Sequence, residues 1–224
     1  MPALIEDIFQ GAAKPATANM SPAFVQWYNP DVPLYPYDAA KAASLLDEAG
    51  WVLNGETREK DGERATFTCV NVAGNTTRRS VLETVQQYLA DVGVDMQIEE
   101  APVATILEQM PKGEMDAAIF EWTYGTVEPD ATQTLKTGEV NNWSSFSNAR
   151  VDELLAQGLL EVDPEKRAPI YKEIQAIVAE EVPFLFLLYR DWYQIFTTRI
   201  KGLPEAPLDF FIVYAGAYKY WIEE

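Results

Sequence analysis

Hydrophobic and polar positions follow a strand period and a helix period in turn along this chain, and their order predicts an α/β fold. A strand predicted at residues 65–70 precedes a helix that starts at Asn75 or Thr76 and ends at Gly93. The apolar residues of this helix recur at helical spacing: Val81, Val85, Tyr88, Leu89 and Val92. Apolar and polar residues then alternate over residues 94–99, which predicts a second strand directly after the helix.

The pattern continues through a short helix at residues 103–110 to a third predicted strand, Asp116 to Trp122. Residues 117–120 form an unbroken apolar run, which is typical of a strand covered on both faces. The resulting order, strand, helix, strand, helix, strand, predicts a mostly parallel central sheet flanked by helices.

Local signals predict further elements on both sides of this core. Asp38 caps a helix that ends before Gly50, and Asp163 caps a helix that starts at Pro164. Turns are predicted around Gly55 and at Asp61-Gly62. Residues 183–189 are predicted as a buried strand, and residues 191–197 as a further strand.

The end of the third strand is the candidate ligand site, because ligands of parallel sheets lie at the carboxyl ends of the strands. Aromatic faces and amides there suit stacking and a few hydrogen bonds to a small molecule. The candidate residues are Trp122, Thr123, Tyr124, Gly125, Asn141, Asn142 and Trp143. Structural roles stay open for several of them: either tryptophan could pack against the core or a loop, and the asparagines could form a turn.

Composition excludes several kinds of function. The chain carries 35 acidic and 17 basic residues, a formal charge of −18, which disfavours nucleic acid as a partner. The absence of histidine excludes nucleophiles that need a histidine base, and no cofactor motif or metal site is predicted. The lone Cys69 is predicted to be a small core residue.

Several segments, taken in order, resemble one known family. They read YDAAKAASLLDEAGW, LADVGVDMQIE, GEMDAAIFEW, FSNARVDELLAQG and VDPEKRAPIYKEIQAIVAEEVPFLFLLY. This set is similar to the extracellular solute-binding proteins of ABC transporters, family 5, of the dipeptide, oligopeptide and nickel-binding type, and it covers residues 37–200. The resemblance implies a periplasmic-binding-protein-like lobe of type II.

The resemblance also implies a domain organisation. Residues 1–37 would be an entry or inter-lobe segment, residues 38–200 the C-terminal ligand-binding lobe, and residues 201–224 a tail that returns toward an N-terminal lobe. That N-terminal lobe of the same protein, together with the export signal, would lie outside this chain.

The function implied is that of the substrate-binding component of an ABC importer, without catalysis. It would capture a small solute between two lobes and deliver it to a membrane permease. Family membership places such a protein in the periplasm or outside the cell, anchored at the cell surface.

The charged ligand anchors of the family are missing at the matching positions. Peptide-binding members carry an aspartate shortly after the tryptophan, where this chain has Gly125, and dipeptide-binding members carry an arginine in the region of residues 71–73. Unpaired peptide termini would cost several kcal/mol on desolvation. Arg78 and Arg79 follow closely, but the sequence does not indicate a displaced anchor there. An uncharged, oligosaccharide-like solute is therefore favoured over a peptide, which stays open because the N-terminal lobe could contribute charges.

Two other functions remain as alternatives. A carboxylate-based hydrolase could use Glu121 or the pairs Glu99-Glu100 and Glu180-Glu181, although adjacent residues of a helix or strand point apart. The same fold could also serve as the effector domain of a regulator.

We expect the aromatic tail to drive self-association. It carries a dense group of large apolar residues: Phe210, Phe211, Ile212, Val213, Tyr214, Tyr218, Tyr220 and Trp221. Exposed apolar surface of this extent is rare on a monomer. Sedimentation should show dimers or larger species at high micromolar concentration, and truncation after Gly202 should abolish them. A strictly monomeric parent, or a dimer that survives truncation, would contradict this expectation.

Overall fold

The computed structural model describes residues 4–122, 128–193, 195–203 and 217–223. The helices are α1 (Ala39–Glu48), α2 (Thr76–Ala90), α3 (Val103–Gln109), α4 (Thr132–Leu135), α5 (Ala149–Leu160) and α6 (Pro164–Glu181). The strands are β1 (Ala13–Pro15), β2 (Val52–Asn54), β3 (Thr57–Lys60), β4 (Glu63–Arg64), β5 (Thr66–Val72), β6 (Asp95–Ala101), β7 (Ala117–Ala118), β8 (Leu188–Arg190), β9 (Ile200–Lys201) and β10 (Trp221–Ile222). Short helical turns lie at Leu4–Ile8, Met110–Lys112 and Ala217–Lys219.

Contacts divide the chain into two compact units. The first unit combines residues 1–11 with 35–121, and the second combines residues 12–34 with 122–224. These units are defined by contacts within the chain. The predicted entry segment, ligand lobe and tail are defined by function, which such contacts do not test, so that division stays a prediction.

A three-stranded parallel sheet forms the centre of the first unit. β5 lies between β6 and β7, with Thr66 opposite Asp95 and Cys69 opposite Ala117. Helices α2 and α3 connect the strands, so the predicted strand–helix order and parallel sheet are confirmed. All three strands therefore end at the same edge of the sheet.

The core of this unit forms where α2 packs on the sheet. Cys69, Leu82 and Met96 are buried there. Of the apolar face predicted for α2, Val85 and Leu89 pack against this core, whereas Leu82 was not in the predicted set. Asn75 caps α2 by accepting a hydrogen bond from the backbone N–H of Arg78 at 3.0 Å. Burial raises the pKa of the Cys69 thiol to about 11, which keeps this side chain neutral and unreactive.

β7 is shorter and more exposed than predicted. Only Ala117 and Ala118 pair with β5, and residues 117–120 are half-buried. The Asp116 carboxylate accepts a hydrogen bond from the Thr68 N–H at 2.9 Å, so a side chain replaces the next backbone acceptor in the ladder. β7 is an edge strand with one neighbour among the described strands, and the half-buried side chains show that the prediction of burial on both faces is wrong.

A surface layer of α1 and a small antiparallel sheet completes the first unit. Asp38 caps α1 as predicted, yet no residue of α1 is buried and Leu45 is 54% exposed. The sheet β2-β3-β4 turns at the two predicted sites, where Gly55 and Gly62 adopt positive φ angles.

Helices α5 and α6 form the core of the second unit. The buried residues of this core are Ala131, Leu135, Phe146, Val151, Leu154, Leu155, Tyr171, Ile174 and Val178. α6 begins at the predicted Asp163 cap, whereas α5 was not predicted. Asn148 caps α5 by accepting hydrogen bonds from the backbone N–H groups of Arg150 and Val151.

Residues 12–34 belong to the second unit because buried polar side chains bind their backbone. The Gln175 amide donates to the Trp27 carbonyl at 2.7 Å and accepts from the Asn29 N–H at 3.0 Å. The Tyr189 hydroxyl accepts from the Ala18 N–H and donates to the Ala18 carbonyl. These bonds hold the proline-rich segment against α6 and β8.

The late strands also differ from the prediction. Of the predicted strand at 183–189, only residues 188 and 189 belong to a strand, β8, which extends to Arg190, and Leu185 is 71% exposed. Its partner β1 pairs with it in antiparallel register, with Pro15 opposite Leu188, and the Ala16 N–H donates to the Leu187 carbonyl just beyond the paired residues. Residues 191–193 and 195–197 contain no strand, and the antiparallel pair of β9 and β10 comes later.

Much of the aromatic tail that is expected to drive self-association, residues 204–216, lies outside the described residues. Of the remainder, Tyr218 and Trp221 are 82% and 58% exposed. Among the helices that the structure describes, none has the length and apolar character to cross a bilayer.

The contact of α5 with α6 makes a sharp test of this packing. A Cβ atom on Gly158 would lie 2.7 Å from Cζ of Tyr171, which is buried. Gly158→Ala should lower the free energy of unfolding by about 1 to 3 kcal/mol, although alanine favours helices, because the ring has no room to move. Urea unfolding measures this loss. Leu159→Ala, at the next and 55% exposed position, is the control and should change stability by less than about 0.5 kcal/mol. Equal effects of the two variants would contradict the packing.

Candidate functional site

Polar side chains gather at the carboxyl edge of the parallel sheet in the first unit. Asn71 lies near the end of β5, Glu100 near the end of β6, and Glu121 follows β7. The first turn of α2 brings Arg78 and Arg79 to the same edge, where their guanidinium groups contact these carboxylates. Ligands of parallel sheets bind at such edges.

The two arginines form long ion pairs with the sheet. Nη2 of Arg78 lies 3.5 Å from Oε2 of Glu121, and the guanidinium stands 5.2 Å from the centre of the Phe120 ring. Nη1 of Arg79 lies 3.7 Å from Oε1 of Glu100, and its Nε donates to Glu83 at 2.9 Å. The first turn of α2 holds no acidic residue. Two arginines at the positive end of a helix make this corner attractive to an anionic group that displaces a glutamate.

Asn71 is fully buried beside this turn. Its Nδ2 donates to the Asn75 carbonyl at 3.1 Å, and its Oδ1 makes no hydrogen bond within the described part of the chain. In the sequence, residues 71–73 were of interest only because the arginine of dipeptide-binding family members is missing there. The sequence cannot show that this amide is buried with an unused acceptor, so only the structure draws attention to Asn71 as a candidate site residue.

The predicted aromatic residues lie in the second unit. The rings of Trp122 and Trp143 pack together, with 5.1 Å between centroids and an interplanar angle of 60°. Trp122 is 37% exposed, and Trp143 is half-buried. The structure therefore brings these two predicted residues together and leaves part of the Trp122 surface open. Thr123, Tyr124 and Gly125 lie outside the described residues.

Asn142 stabilises its own loop. Its Nδ2 donates to the carbonyls of Lys136 and Phe146, and its Oδ1 accepts from the Phe146 N–H and the Ser144 hydroxyl. Both donors and both acceptor positions of the amide are occupied, which leaves no capacity for a ligand. The turn role, left open from the sequence, is the one that this geometry supports. Within the part of the chain that the structure describes, the Asn141 side chain makes one long hydrogen bond, 3.4 Å from Nδ2 to the Gln133 side chain.

The described residues contain no group of three acidic or cysteine side chains that could hold a metal ion. The carboxyl edge carries paired charges instead, and the aromatic pair carries none. These two features suit reversible binding of an organic solute.

Comparison with known proteins identifies the family. Residues 1–166 match the sequence model of the bacterial extracellular solute-binding proteins, family 5, and the chain belongs to this family. The resemblance drawn from the sequence is thus confirmed. Members are extracellular or periplasmic solute-binding proteins and not enzymes.

Curated relatives agree with this assignment. The chain is 27% identical to the oligopeptide-binding protein AppA of Bacillus subtilis, over 91% of this chain and 39% of AppA. It is 28% identical to the glutathione-binding protein GsiB of Escherichia coli, over 93% of this chain and 41% of GsiB. The chain spans about two fifths of the length of these curated relatives.

Solved structures confirm the fold. AppA in complex with a nonapeptide superimposes with a TM-score of 0.81 at 23% identity, covering 99% of this chain and 45% of AppA. NikZ from Campylobacter jejuni, in complex with Ni(L-His), gives a TM-score of 0.83 at 21% identity, covering 98% of this chain and 45% of NikZ. The predicted α/β fold of type II periplasmic binding proteins is correct.

The bonding of Asn142 predicts a difference between two neighbouring amides. Asn142→Ala should lower the free energy of unfolding by about 1 to 3 kcal/mol, because it leaves the Phe146 N–H and two carbonyls without partners. Asn141→Ala, the matched control, should cost less than about 0.5 kcal/mol. Denaturant unfolding measures both changes. If the Asn142 variant were as stable as the control, the loop would not depend on this amide.

Proposed function

We propose that this chain forms part of the substrate-binding component of an ABC importer. In this function the whole protein captures a small solute between two lobes and delivers it to a membrane permease. Membership of the solute-binding family carries the proposal. The polar carboxyl edge of the parallel sheet supports it, because it offers binding groups on several elements without a catalytic constellation among the described residues.

The roles of the chain segments follow from the same proposal. Residues 38–200 provide the C-terminal ligand-binding lobe, and residues 201–224 return to an N-terminal lobe of the same protein. The mature protein works in the periplasm or at the cell surface, held by an anchor. The cognate permease is its macromolecular partner.

We favour a solute that carries a carboxylate, such as a peptide. Arg78 and Arg79 lie at the carboxyl edge, and only long contacts of 3.5 and 3.7 Å join them to Glu121 and Glu100. A ligand carboxylate can form a shorter, bidentate contact with a guanidinium group. Two relatives, named as oligopeptide-binding and glutathione-binding proteins, point to the same class of solute.

A second candidate ligand is an uncharged, oligosaccharide-like solute, which the missing aspartate and arginine anchors favour. The aromatic pair supports this candidate, because Trp122, 37% exposed beside Trp143, is an aromatic surface of the kind that stacks against a sugar. Trp122, Thr123, Tyr124, Gly125, Asn141 and Trp143 remain the proposed contacts in this case.

The hydrolase alternative has little support. In β6, Glu99 and Glu100 are adjacent and point to opposite faces, and Glu100 is paired with Arg79. The family, moreover, consists of binding proteins.

Two substitutions in the full-length protein distinguish the ligand classes. Calorimetry would first screen di- and tripeptides, glutathione and neutral oligosaccharides. For a carboxylate-bearing solute, Arg78→Gln should weaken binding by about 1 to 3 kcal/mol, since one charge-assisted pair is lost. For an uncharged solute, Trp122→Ala should cause a loss of similar size, about 1 to 3 kcal/mol, and Arg78→Gln should cause none.

Matched controls guard against general damage to the fold. Arg64→Gln removes an exposed arginine of β4, and Trp192→Ala removes a tryptophan that is 54% exposed. Neither control should change the affinity. Binding that is insensitive to both Arg78→Gln and Trp122→Ala would refute the proposed sites, and the absence of binding to any solute of these classes would refute the ligand assignment.

A further inference from the structure

A cavity of about 510 Å³ lies at the amino-terminal end of the parallel sheet in the first unit. Residues of α1, β2, β3 and the last turn of α2 line it, together with the turns that follow β2 and α2. Gly93 belongs to its wall, and a Cβ atom there would lie 2.8 Å from Cδ1 of Leu53 and 2.9 Å from Cγ of Arg58. The walls therefore meet too closely for any residue other than glycine at this point.

Arg58 is the central feature of this cavity. The residue is 5% exposed, and three backbone or carboxylate acceptors hold its guanidinium. Its Nε donates to the Val92 carbonyl, and its Nη1 donates to Asp47 and to the Trp51 carbonyl. Within the described part of the chain, Nη2 makes no hydrogen bond, and it is not among the fully enclosed polar atoms. A nearly buried guanidinium thus offers two N–H donors to whatever occupies the cavity.

The rim has the opposite charge. Glu56 and Asp91 line the cavity and are exposed, and Gln87 donates to Asp91 at 3.0 Å. Ala43, Leu53 and Ala90 also line the cavity and are apolar. The cavity lining therefore combines a guanidinium donor, a short apolar surface and two exposed carboxylates.

We propose that this cavity is a second binding site, for a small zwitterion with a short aliphatic body. The ligand carboxylate accepts hydrogen bonds from Nη2 of Arg58, while Nη1 continues to donate to Asp47. The ligand ammonium lies between Glu56 and Asp91, and its methylene groups pack against Leu53 and Ala90. A simple anion is repelled by the rim, and a simple cation leaves the Nη2 donors unused, so both charges are needed for full complementarity.

This site is separate from the carboxyl edge. The last turn of α2 and residues 91–93 line it, whereas Arg78, Arg79 and Asn71 lie at the other ends of α2 and β5. Binding here is independent of the transport ligand.

The test uses the 224-residue chain and three probes: γ-aminobutyrate, butyrate and n-butylammonium. Amide signals of Gly55, Gln87 and Gly93, followed by nuclear magnetic resonance, report on occupancy. We expect saturable shifts with γ-aminobutyrate and an affinity about three- to tenfold higher than for either singly charged probe, in line with one or two exposed ion pairs. Equal affinities for the three probes, or no saturable shift with γ-aminobutyrate, would overturn the proposal.

Variants at the rim complete the test, because substitution of Arg58 would also release the Val92 and Trp51 carbonyls. Glu56→Gln combined with Asp91→Asn should remove the preference for γ-aminobutyrate over butyrate. Glu63→Gln, an exposed carboxylate of β4 outside the cavity, should leave this preference unchanged. Trp122→Ala should also leave it unchanged, which separates this site from the proposed transport site. A preference that survives the double substitution would refute the role of the rim.

Discussion

The parallel pairing of β5 with β6 and β7 is the constraint on which the first unit depends. This register brings the ends of three strands to one edge, where Asn71, Glu100 and Glu121 meet the first turn of α2. It also brings the end of α2 and the residues that precede β6 to the opposite edge, beside the buried Arg58. One backbone arrangement thus positions both polar regions of this unit, with Arg78 and Arg79 supplied by α2, Asn71 by β5 and Arg58 by β3.

In the second unit, the corresponding constraint comes from buried polar side chains of α6. Tyr171 packs against Gly158 of α5, and Gln175 binds the backbone of residues 27–29 through both ends of its amide. Arg167 donates to the Gly158 carbonyl and to Glu128, and its guanidinium lies over the rings of Trp27 and Tyr171. A proline-rich segment without a helix of its own is thereby ordered by side chains that are distant in sequence.

The candidate site shows where residue type is an insufficient guide to function. Trp122 and Trp143 were selected as flat, neutral surfaces, and they do lie together. Asn142 was selected by the same reasoning, but its amide is saturated by its own loop. Arg78 and Arg79 received little weight because they do not occupy the family's anchor positions, yet the first turn of α2 carries them to the carboxyl edge. Spacing along the chain cannot show which hydrogen-bonding groups are already occupied.

The sequence by itself determined the features that depend on near neighbours in the chain. These are the caps at Asp38, Asn75 and Asp163, the turns at Gly55 and Gly62, and the strand–helix alternation of the sheet. Only the tertiary structure decided the lengths of β7 and β8, because the partner strands of both are distant in the sequence. It also decided that α1 stays on the surface and that Arg58 is buried, since burial depends on which distant segments pack nearby.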